Sequence, residues 1–255
     1  MSNEGKVSVS VNNGIANITF FHPQSNSLPG ALLENLASQI EKAGADDAVK
    51  VIILSSEGEK TFCAGASFDE LASITTLEQG KQFFSGFAKV INAMRLAPKF
   101  IIARVQGKSV GGGVGLACAA DYTLATAQAS VKLSELAVGI GPFVVGPAVE
   151  RKIGTAAFTQ LTINASQWQT AEWAMTNGMY ASIYNSNEEL DKAVNDLAAT
   201  LSSSNPEAMQ LLKKIMWEGT ENWNTLLLER AEMSGKLVLS DFTRNAIAKF
   251  KQGTR

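Results

Sequence analysis

Gln106-Gly107-Lys108-Ser109-Val110-Gly111-Gly112-Gly113 is the stretch of the chain that decides its fold. It follows residues 100–105, whose mostly apolar run predicts a strand covered on both faces, and it leads into a small-residue helix predicted over residues 114–119. Unpaired N–H groups at a helix N-terminus lie at the positive end of the helix dipole and can hold an anion or an oxyanion. Neither common nucleotide-binding pattern fits, because Lys108-Ser109 precedes the triplet and no further glycine follows at the required spacing. The triplet alone therefore leaves a tight helix–strand contact and a functional loop as alternatives.

A second loop of small residues, Thr61-Phe62-Cys63-Ala64-Gly65-Ala66-Ser67-Phe68, has a similar setting. It comes after the β-branched run at residues 49–54 and a polar turn. Ser67 is placed to cap a helix whose first turn holds Asp69 and Glu70. This loop is the second candidate functional segment.

The rest of the chain divides into an α/β part and a helical part. Residues 6–11 and 15–20 flank Asn12-Asn13-Gly14 and predict a β-hairpin. From Thr155 onward, apolar spacing predicts only helices. These predicted helices cover residues 156–163, 167–177, 188–203, 206–217 and 222–251. The sequence thus predicts an α/β core over residues 1–190 and a helical region over residues 191–255.

The composition excludes several classes of protein. With 24 acidic and 22 basic residues among 255, the net charge is −2, and 45% of the residues are hydrophobic. This apolar fraction excludes whole-chain disorder, and the lack of a basic excess argues against nucleic-acid binding. No stretch is apolar enough to span a membrane, and residues 1–6 show no signal-peptide pattern. Cys63 and Cys118 are interpreted as free, buried thiols, so we expect a cytoplasmic protein.

A single histidine, His22, excludes much chemistry at once. It precedes Pro23 in a predicted turn, with no nucleophile nearby, so we expect a loop or surface residue. A histidine-based nucleophilic mechanism has little support, and a multi-histidine metal site cannot be built. We therefore expect no metal site.

Four segments, in order and at familiar separations, resemble the crotonase family, the enoyl-CoA hydratases and isomerases. Residues 62–68 resemble the family's F-x-A-G-A-D-[LI] segment, and residues 107–121 resemble its G-x-x-x-G-G-G-x-E-L-A-x-x-x-D segment. Residues 133–142 are similar to its P-E-x-x-x-G-x-x-P segment, and residues 22–28 to its early N-x-L turn. The resemblance covers nearly the whole chain.

The resemblance implies an α/β fold, a crotonase-like spiral of ββα units with a C-terminal helical trimerisation region. It also implies a homotrimer or hexamer that acts on an acyl-CoA substrate, with no separate cofactor because coenzyme A is part of the substrate. By motif position, the N–H groups of Ala66 and Gly112 donate hydrogen bonds to the carbonyl oxygen of the thioester, and Glu135 is the proton-transfer group. The implied substrate-binding residues are Ala64, Gly65, Ser67, Phe68, Gly111, Gly115 and Pro142. Residues 74–86 are expected to form the pocket wall.

The chain departs from the family pattern at three places. The hydratases carry two glutamates, and the position of the first is Gly115 here, so Glu135 is the sole expected acid/base group. Its apolar neighbours are expected to raise its pKa. Ser67 stands where the family often has Asp, and residues 241–251 lack the usual C-terminal pattern, although Lys249 and Lys251 are candidate partners for a CoA phosphate.

One carboxyl group suffices to move a double bond, because the same group removes a proton from one carbon and returns it to another. The sequence therefore slightly favours double-bond isomerisation over hydration. Family members that lack the first glutamate also decarboxylate or cleave thioesters. A non-catalytic acyl-CoA-binding protein is the remaining alternative.

Overall fold

The computed structural model describes residues 5–253, with side chains described through residue 249. The strands are β1 (Lys6–Asn12), β2 (Ile15–Phe21), β3 (Val51–Ser56), β4 (Thr61–Cys63), β5 (Phe100–Val105), β6 (Lys108–Val110), β7 (Tyr122–Thr126), β8 (Ser130–Lys132), β9 (Gln169–Thr170) and β10 (Ser182–Tyr184). The helices are α1 (Gly30–Ala45), α2 (Phe68–Ser73), α3 (Leu77–Leu96), α4 (Gly112–Ala119), α5 (Gly146–Ile163), α6 (Ala171–Thr176), α7 (Asn187–Ser202), α8 (Pro206–Met216), α9 (Trp223–Leu237) and α10 (Asp241–Gly253). A short 3₁₀ helix covers Glu135–Val138.

Two sheets organise the α/β part. The larger has the order β1-β2-β3-β5-β7-β10, and the smaller has the order β4-β6-β8-β9. The predicted hairpin is confirmed, since β1 pairs antiparallel with β2 around a turn in which Asn13 and Gly14 both have positive φ. The remaining pairs of the larger sheet are parallel.

Successive strands alternate between the two sheets. The chain enters the larger sheet with β3, β5 and β7, and each time passes to the smaller sheet with β4, β6 and β8 before a helix follows. These repeats are the predicted ββα units. Because β4, β6 and β8 run parallel, their carboxyl ends bring three loops to one edge of the smaller sheet.

The outer face of the larger sheet is covered by α7. Leu190, Val194 and Ala198 pack there against strand residues that include Ile53 and Ile102. The predicted division at residue 190 falls inside this helix. The position of a domain boundary stays a prediction.

The C-terminal part differs from the sequence prediction of helices alone at three places: β9 lies inside the predicted helix over residues 167–177, β10 adds a strand to the larger sheet, and the last predicted helix is broken. The predicted helix over residues 222–251 is two helices, because α9 ends at Leu237 and Ser240 begins a new turn. The Ser240 side chain accepts a hydrogen bond from the Thr243 N–H at 3.3 Å, which satisfies one of the free donors at the start of α10. Between residues 5 and 253, no helix is long and apolar enough to cross a membrane.

Candidate active site

The three loops that follow β4, β6 and β8 form the candidate site. The first holds Ala64 to Ser67, the second Gly111 and the start of α4, and the third Glu135. A backbone hydrogen bond from the Gly111 N–H to the Lys132 oxygen, 2.9 Å long, ties the second loop to the end of β8. The predicted site segments therefore lie together, although they are far apart in the sequence.

Hydrogen bonds to Leu28 fix the first loop. Leu28 donates to the Gly65 oxygen at 2.8 Å, and its own oxygen accepts from the Ser67 N–H at 3.2 Å. In this parallel bridge Leu28 is the partner of Ala66, so the Ala66 N–H points away from Leu28. Gly65, at φ +90°, makes the required bend.

Two unpaired N–H groups lie where the first two loops meet. Within residues 5–253, neither Ala66 nor Gly112 donates a backbone hydrogen bond. The loops touch, since a Cβ built onto Gly65 would lie 3.5 Å from the Gly112 nitrogen. Gly112 is also the first residue of α4, at the positive end of its dipole. Two such donors can stabilise an oxygen that becomes negative during a reaction.

Gly111 is the point at which the second loop contacts the third loop, which holds Glu135. Its backbone has φ +51° and ψ −112°, a conformation that side chains disfavour. A Cβ on Gly111 would lie 3.0 Å from the Glu135 carboxylate oxygen Oε1. The carboxyl group of Glu135 thus lies directly against the backbone that leads into the Gly112 N–H.

The carboxyl group of Glu135 is enclosed. Its Oε2 is buried and has no hydrogen-bond partner among the described residues, although the residue as a whole is only half-buried. Burial raises the pKa of Glu135 to about 7, against a smaller lowering by a hydrogen bond from its own backbone N–H. A carboxyl group with this pKa exchanges protons readily near neutral pH.

The other predicted binding residues surround these groups in different ways. Ser67 caps α2, since its hydroxyl accepts from the Glu70 N–H at 3.3 Å, as predicted. Phe68 packs in an apolar cluster with Leu71. Ala64 donates its N–H to Ser25 at 3.2 Å, and the Pro142 oxygen accepts from the Gly146 N–H at 2.7 Å.

Gly115 occupies the position at which the resemblance places the first hydratase glutamate. The resemblance implies that Gly115 is a substrate-binding residue, and this role stays a prediction. In the structure Val145 packs against it: a Cβ on Gly115 would lie 2.5 Å from Val145 Cγ1 and 2.8 Å from Val145 Cβ. Val145 is buried, with 4% of its surface exposed. The absent side chain is thus replaced by apolar packing.

Two site neighbours were missed by sequence reasoning. Val145 is one, and Phe87 of α3 is the other, because a Cβ on Gly112 would lie 2.1 Å from Phe87 Cζ. Helical apolar spacing in α3 predicts that Phe87 is buried, but it does not say what Phe87 packs against. No sequence signal pairs Val145 with Gly115.

Other reactive side chains are inert or buried. Burial raises the pKa of Cys63 and of Cys118 to about 12, so neither is a ready thiolate. His22 lies in the predicted loop after β2 but not at the surface, since it is only 6% exposed and its ring nitrogen Nδ1 accepts from the Gln24 N–H. Among the described residues, no cluster of metal-ligating side chains is present. Lys249 is exposed on α10, whereas Lys251 lies outside the described side chains.

Comparison with known proteins identifies the family. The family model for enoyl-CoA hydratase/isomerase matches residues 10–251. The chain belongs to this family. The predicted family and fold are confirmed, and the chain is an enoyl-CoA hydratase/isomerase family enzyme that acts on an acyl-CoA.

Individual relatives in this family are hydratases of different enoyl-CoA thioesters. A short-chain-enoyl-CoA hydratase of Clostridium acetobutylicum is 28% identical over 98% of this chain and 93% of its own length. Rat mitochondrial methylglutaconyl-CoA hydratase is 33% identical over 77% of this chain and 63% of its own length. In structure, an enoyl-CoA hydratase from Bacillus halodurans superimposes with a TM-score of 0.88 over 95% of this chain and 99% of its own, at 22% identity. At that identity the likeness establishes the fold.

Proposed function

We propose that this enzyme shifts the double bond of an enoyl-CoA through an enolate, with Glu135 as its sole proton-transfer group. The observation that carries the proposal is the packing at Gly115. The family resemblance places the first of the two hydratase glutamates at this position. Val145 fills the space beside it, with Cγ1 2.5 Å from where a Cβ would lie. An apolar side chain there neither activates water nor donates a proton, so the chemistry rests on one carboxylate.

The proposed reaction needs a base and two hydrogen-bond donors. The Glu135 carboxylate removes a proton from the carbon between the double bond and the thioester carbonyl. The electron pair moves onto the carbonyl oxygen, which accepts hydrogen bonds from the N–H groups of Ala66 and Gly112. The same carboxyl group then returns the proton at the far end of the former double bond, and the carbonyl re-forms. One fixed donor of this kind typically contributes about 3–4 kcal/mol to transition-state stabilisation.

The remaining site residues hold the substrate in this proposal. Ala64, Gly65 and Ser67 present mainly backbone groups to the coenzyme A portion, and Gly111 gives the thioester access to Glu135. Phe68 and Pro142 contribute apolar surface to the acyl group, and Gly115 with Val145 limits its bulk. Coenzyme A arrives with the substrate, so no further cofactor and no metal takes part.

Hydration is the second candidate, because both sequence relatives described above are named hydratases. It would require that Glu135 alone activates water and that another group supplies the second proton. Decarboxylation, thioester cleavage and passive acyl-CoA binding have no comparable support.

An assembly of several copies is also part of the proposal. α8 exposes a row of apolar side chains, with Leu211, Leu212, Ile215 and Met216 each about half exposed. An apolar helix face of this kind is typical of a surface that another subunit covers. We propose a homotrimer or hexamer in the cytoplasm, where Cys63 and Cys118 stay reduced; a monomeric mass by light scattering would contradict the assembly.

The test compares matched substrates. We expect 3-hexenoyl-CoA to be isomerised at least tenfold faster than 2-hexenoyl-CoA is hydrated, each followed by chromatography of the products. In deuterium oxide, part of the migrating hydrogen should be retained, because a single enclosed carboxyl group carries it. Hydration at an equal or higher rate would select the second candidate instead.

A further inference from the structure

An apolar cavity with one cationic side chain lies between α2 and α10. Its volume is about 260 Å³, room for on the order of eight groups the size of a water molecule. Leu71 and Ala72 of α2 and Ile74 just after it form one wall, and Val238, Ile247 and Arg244 form the other. Among the described side chains, Arg244 is the sole charged one in this lining.

Both walls are attached to the candidate active site. α2 begins at Phe68, two residues after the Ala66 donor. A hydrogen bond joins α10 to the turn after the 3₁₀ helix that begins at Glu135. In it the Thr243 hydroxyl donates to the Gly139 oxygen at 3.2 Å. The ring of Phe242 covers the same turn, 2.5 Å from where a Cβ on Gly139 would lie. The cavity therefore lies between two helices that are each connected to a loop of the candidate active site.

Arg244 has no acidic partner in the described part of the chain. No ion pair involves it, and the residue is exposed to solvent while it also lines the cavity. A guanidinium is always charged and binds a carboxylate through two parallel hydrogen bonds. An unpaired arginine beside an apolar cavity suits a ligand that is apolar along its length and anionic at its end.

We infer that the acyl group of the substrate carries a carboxylate at its far end, and that Arg244 binds this carboxylate. The inference rests on the proposed function, since it places the acyl group between Glu135 and α10. The chain would then select dicarboxylic acyl-CoA thioesters over straight-chain ones of equal length. Arg244 acts on specificity, and Glu135 retains the chemistry.

The test measures binding, which does not depend on turnover. Glutaryl-CoA and pentanoyl-CoA have five-carbon acyl groups that differ only in a terminal carboxylate or methyl group, and coenzyme A alone serves as a third ligand. By titration calorimetry on the whole protein, we expect glutaryl-CoA to bind about tenfold more tightly than pentanoyl-CoA. Arg244→Met should abolish this preference by weakening glutaryl-CoA alone. Lys249→Met is the matched control, because it removes a cation from the same helix outside the cavity lining; any contact of Lys249 with a coenzyme A phosphate is common to all three ligands, so the ratio of the two affinities should stay intact.

Two results would overturn the inference. Equal binding of the two thioesters by the unmodified protein is one. An equal loss for all three ligands in Arg244→Met is the other, because it would place the arginine against a coenzyme A phosphate. Failure of the proposed function would look different: glutaryl-CoA would still bind preferentially, while neither isomerisation nor hydration of enoyl-CoAs was detected.

Discussion

Two buried carboxylates of this protein have opposite surroundings. Asp121 follows α4 and accepts hydrogen bonds from the Ile101 N–H at 2.7 Å and from the Trp217 indole at 2.8 Å. Its side chain also pairs with Lys213 at 2.9 Å, and both side chains are almost fully buried. Glu135 has an enclosed oxygen, Oε2, with no partner among the described residues.

The difference separates a structural carboxylate from a reactive one. Three donors hold Asp121, one from β5 and two from α8 and its C-terminal end, and Lys213 extends the network by donating to the oxygens of Met94 and Lys99. This network joins α8 to the α/β part. Glu135 lies against Gly111 with an unsatisfied oxygen, which makes its charged form unfavourable and its proton exchangeable. The following changes test this division of roles.

Glu135→Gln should have the largest effect. The amide keeps the shape of the side chain but cannot accept the substrate proton, so we expect turnover to fall by roughly 10²–10⁴-fold. The affinity for a saturated acyl-CoA should change less than about threefold, because the binding surface is retained. Steady-state kinetics and calorimetry measure the two quantities. Near-normal turnover would remove Glu135 from the mechanism and direct attention to Asp69 or Glu70.

Asp121→Asn should leave catalysis intact but destabilise the fold. The substitution leaves the Lys213 ammonium buried without its counter-ion, which typically lowers the free energy of unfolding by about 3–5 kcal/mol. Urea denaturation followed by tryptophan fluorescence measures the loss, since Trp217 bonds to the same carboxylate. The double variant Asp121→Asn/Lys213→Met should recover part of it. A large fall in turnover per folded molecule would show that Asp121 also serves the reaction.

Local patterns predicted much of the fold. The Asn13-Gly14 turn sets the hairpin, and the cap at Ser67 follows from a serine ahead of two acidic residues. The positions of Ala66, Gly112 and Glu135 came from resemblance, because no local rule brings three distant loops to one edge of a sheet. The geometry of these loops agrees with their proposed roles.

Contacts between distant segments could not be predicted from the sequence. The contact of Val145 with Gly115 and the Asp121–Lys213 pair depend on how separate helices meet, which apolar spacing does not specify. The break between α9 and α10 was missed for a similar reason. Its residues continue the apolar pattern, and only the Ser240 hydroxyl bond to Thr243 marks a new helix start.

The pH dependence of the two roles should also differ. Because the carboxylate of Glu135 is the proton acceptor, kcat/KM should rise with pH through the pKa of about 7 and then level off. Stability should change in the opposite direction. The folded protein holds the Glu135 proton more tightly than the unfolded chain, where the pKa is near 4.5, so the stabilising contribution is complete below about 4.5 and is lost as the pH rises through about 7.

The stability part of this prediction is measured against Glu135→Gln. From pH 4.5 to pH 8, the unmodified protein should lose up to about 3 kcal/mol of unfolding free energy relative to the variant. Other titrating groups are common to both proteins and cancel in the difference. Parallel pH curves would mean that Glu135 is not a buried acid.

The smallest expected effect concerns the glutamate that hydratases carry at the position of Gly115. Gly115→Glu alone should fold poorly, because its Cβ would lie 2.5 Å from Val145 Cγ1. Val145→Ala gives too little relief, since the Val145 Cβ would remain at 2.8 Å, whereas Val145→Gly leaves the Val145 Cα at 3.7 Å as the nearest remaining atom. The double variant Gly115→Glu/Val145→Gly therefore removes the overlap at the Cβ position, and the deleted valine side chain leaves volume for the longer one.

We expect this double variant to hydrate crotonyl-CoA about tenfold faster than Val145→Gly alone, below the roughly 10²–10⁴-fold effect of a well-placed acid or base. The second carboxyl group would orient the water while Glu135 transfers the proton. Gly115→Gln/Val145→Gly is the matched control, because it fills the same space without an ionisable group. If the Gln and Glu variants hydrate equally slowly while both are folded, a missing carboxylate is not what separates this enzyme from a hydratase. If the unmodified protein already hydrates crotonyl-CoA rapidly, Glu135 activates water without a partner, and an enclosed, unpaired carboxyl group is sufficient for both reactions.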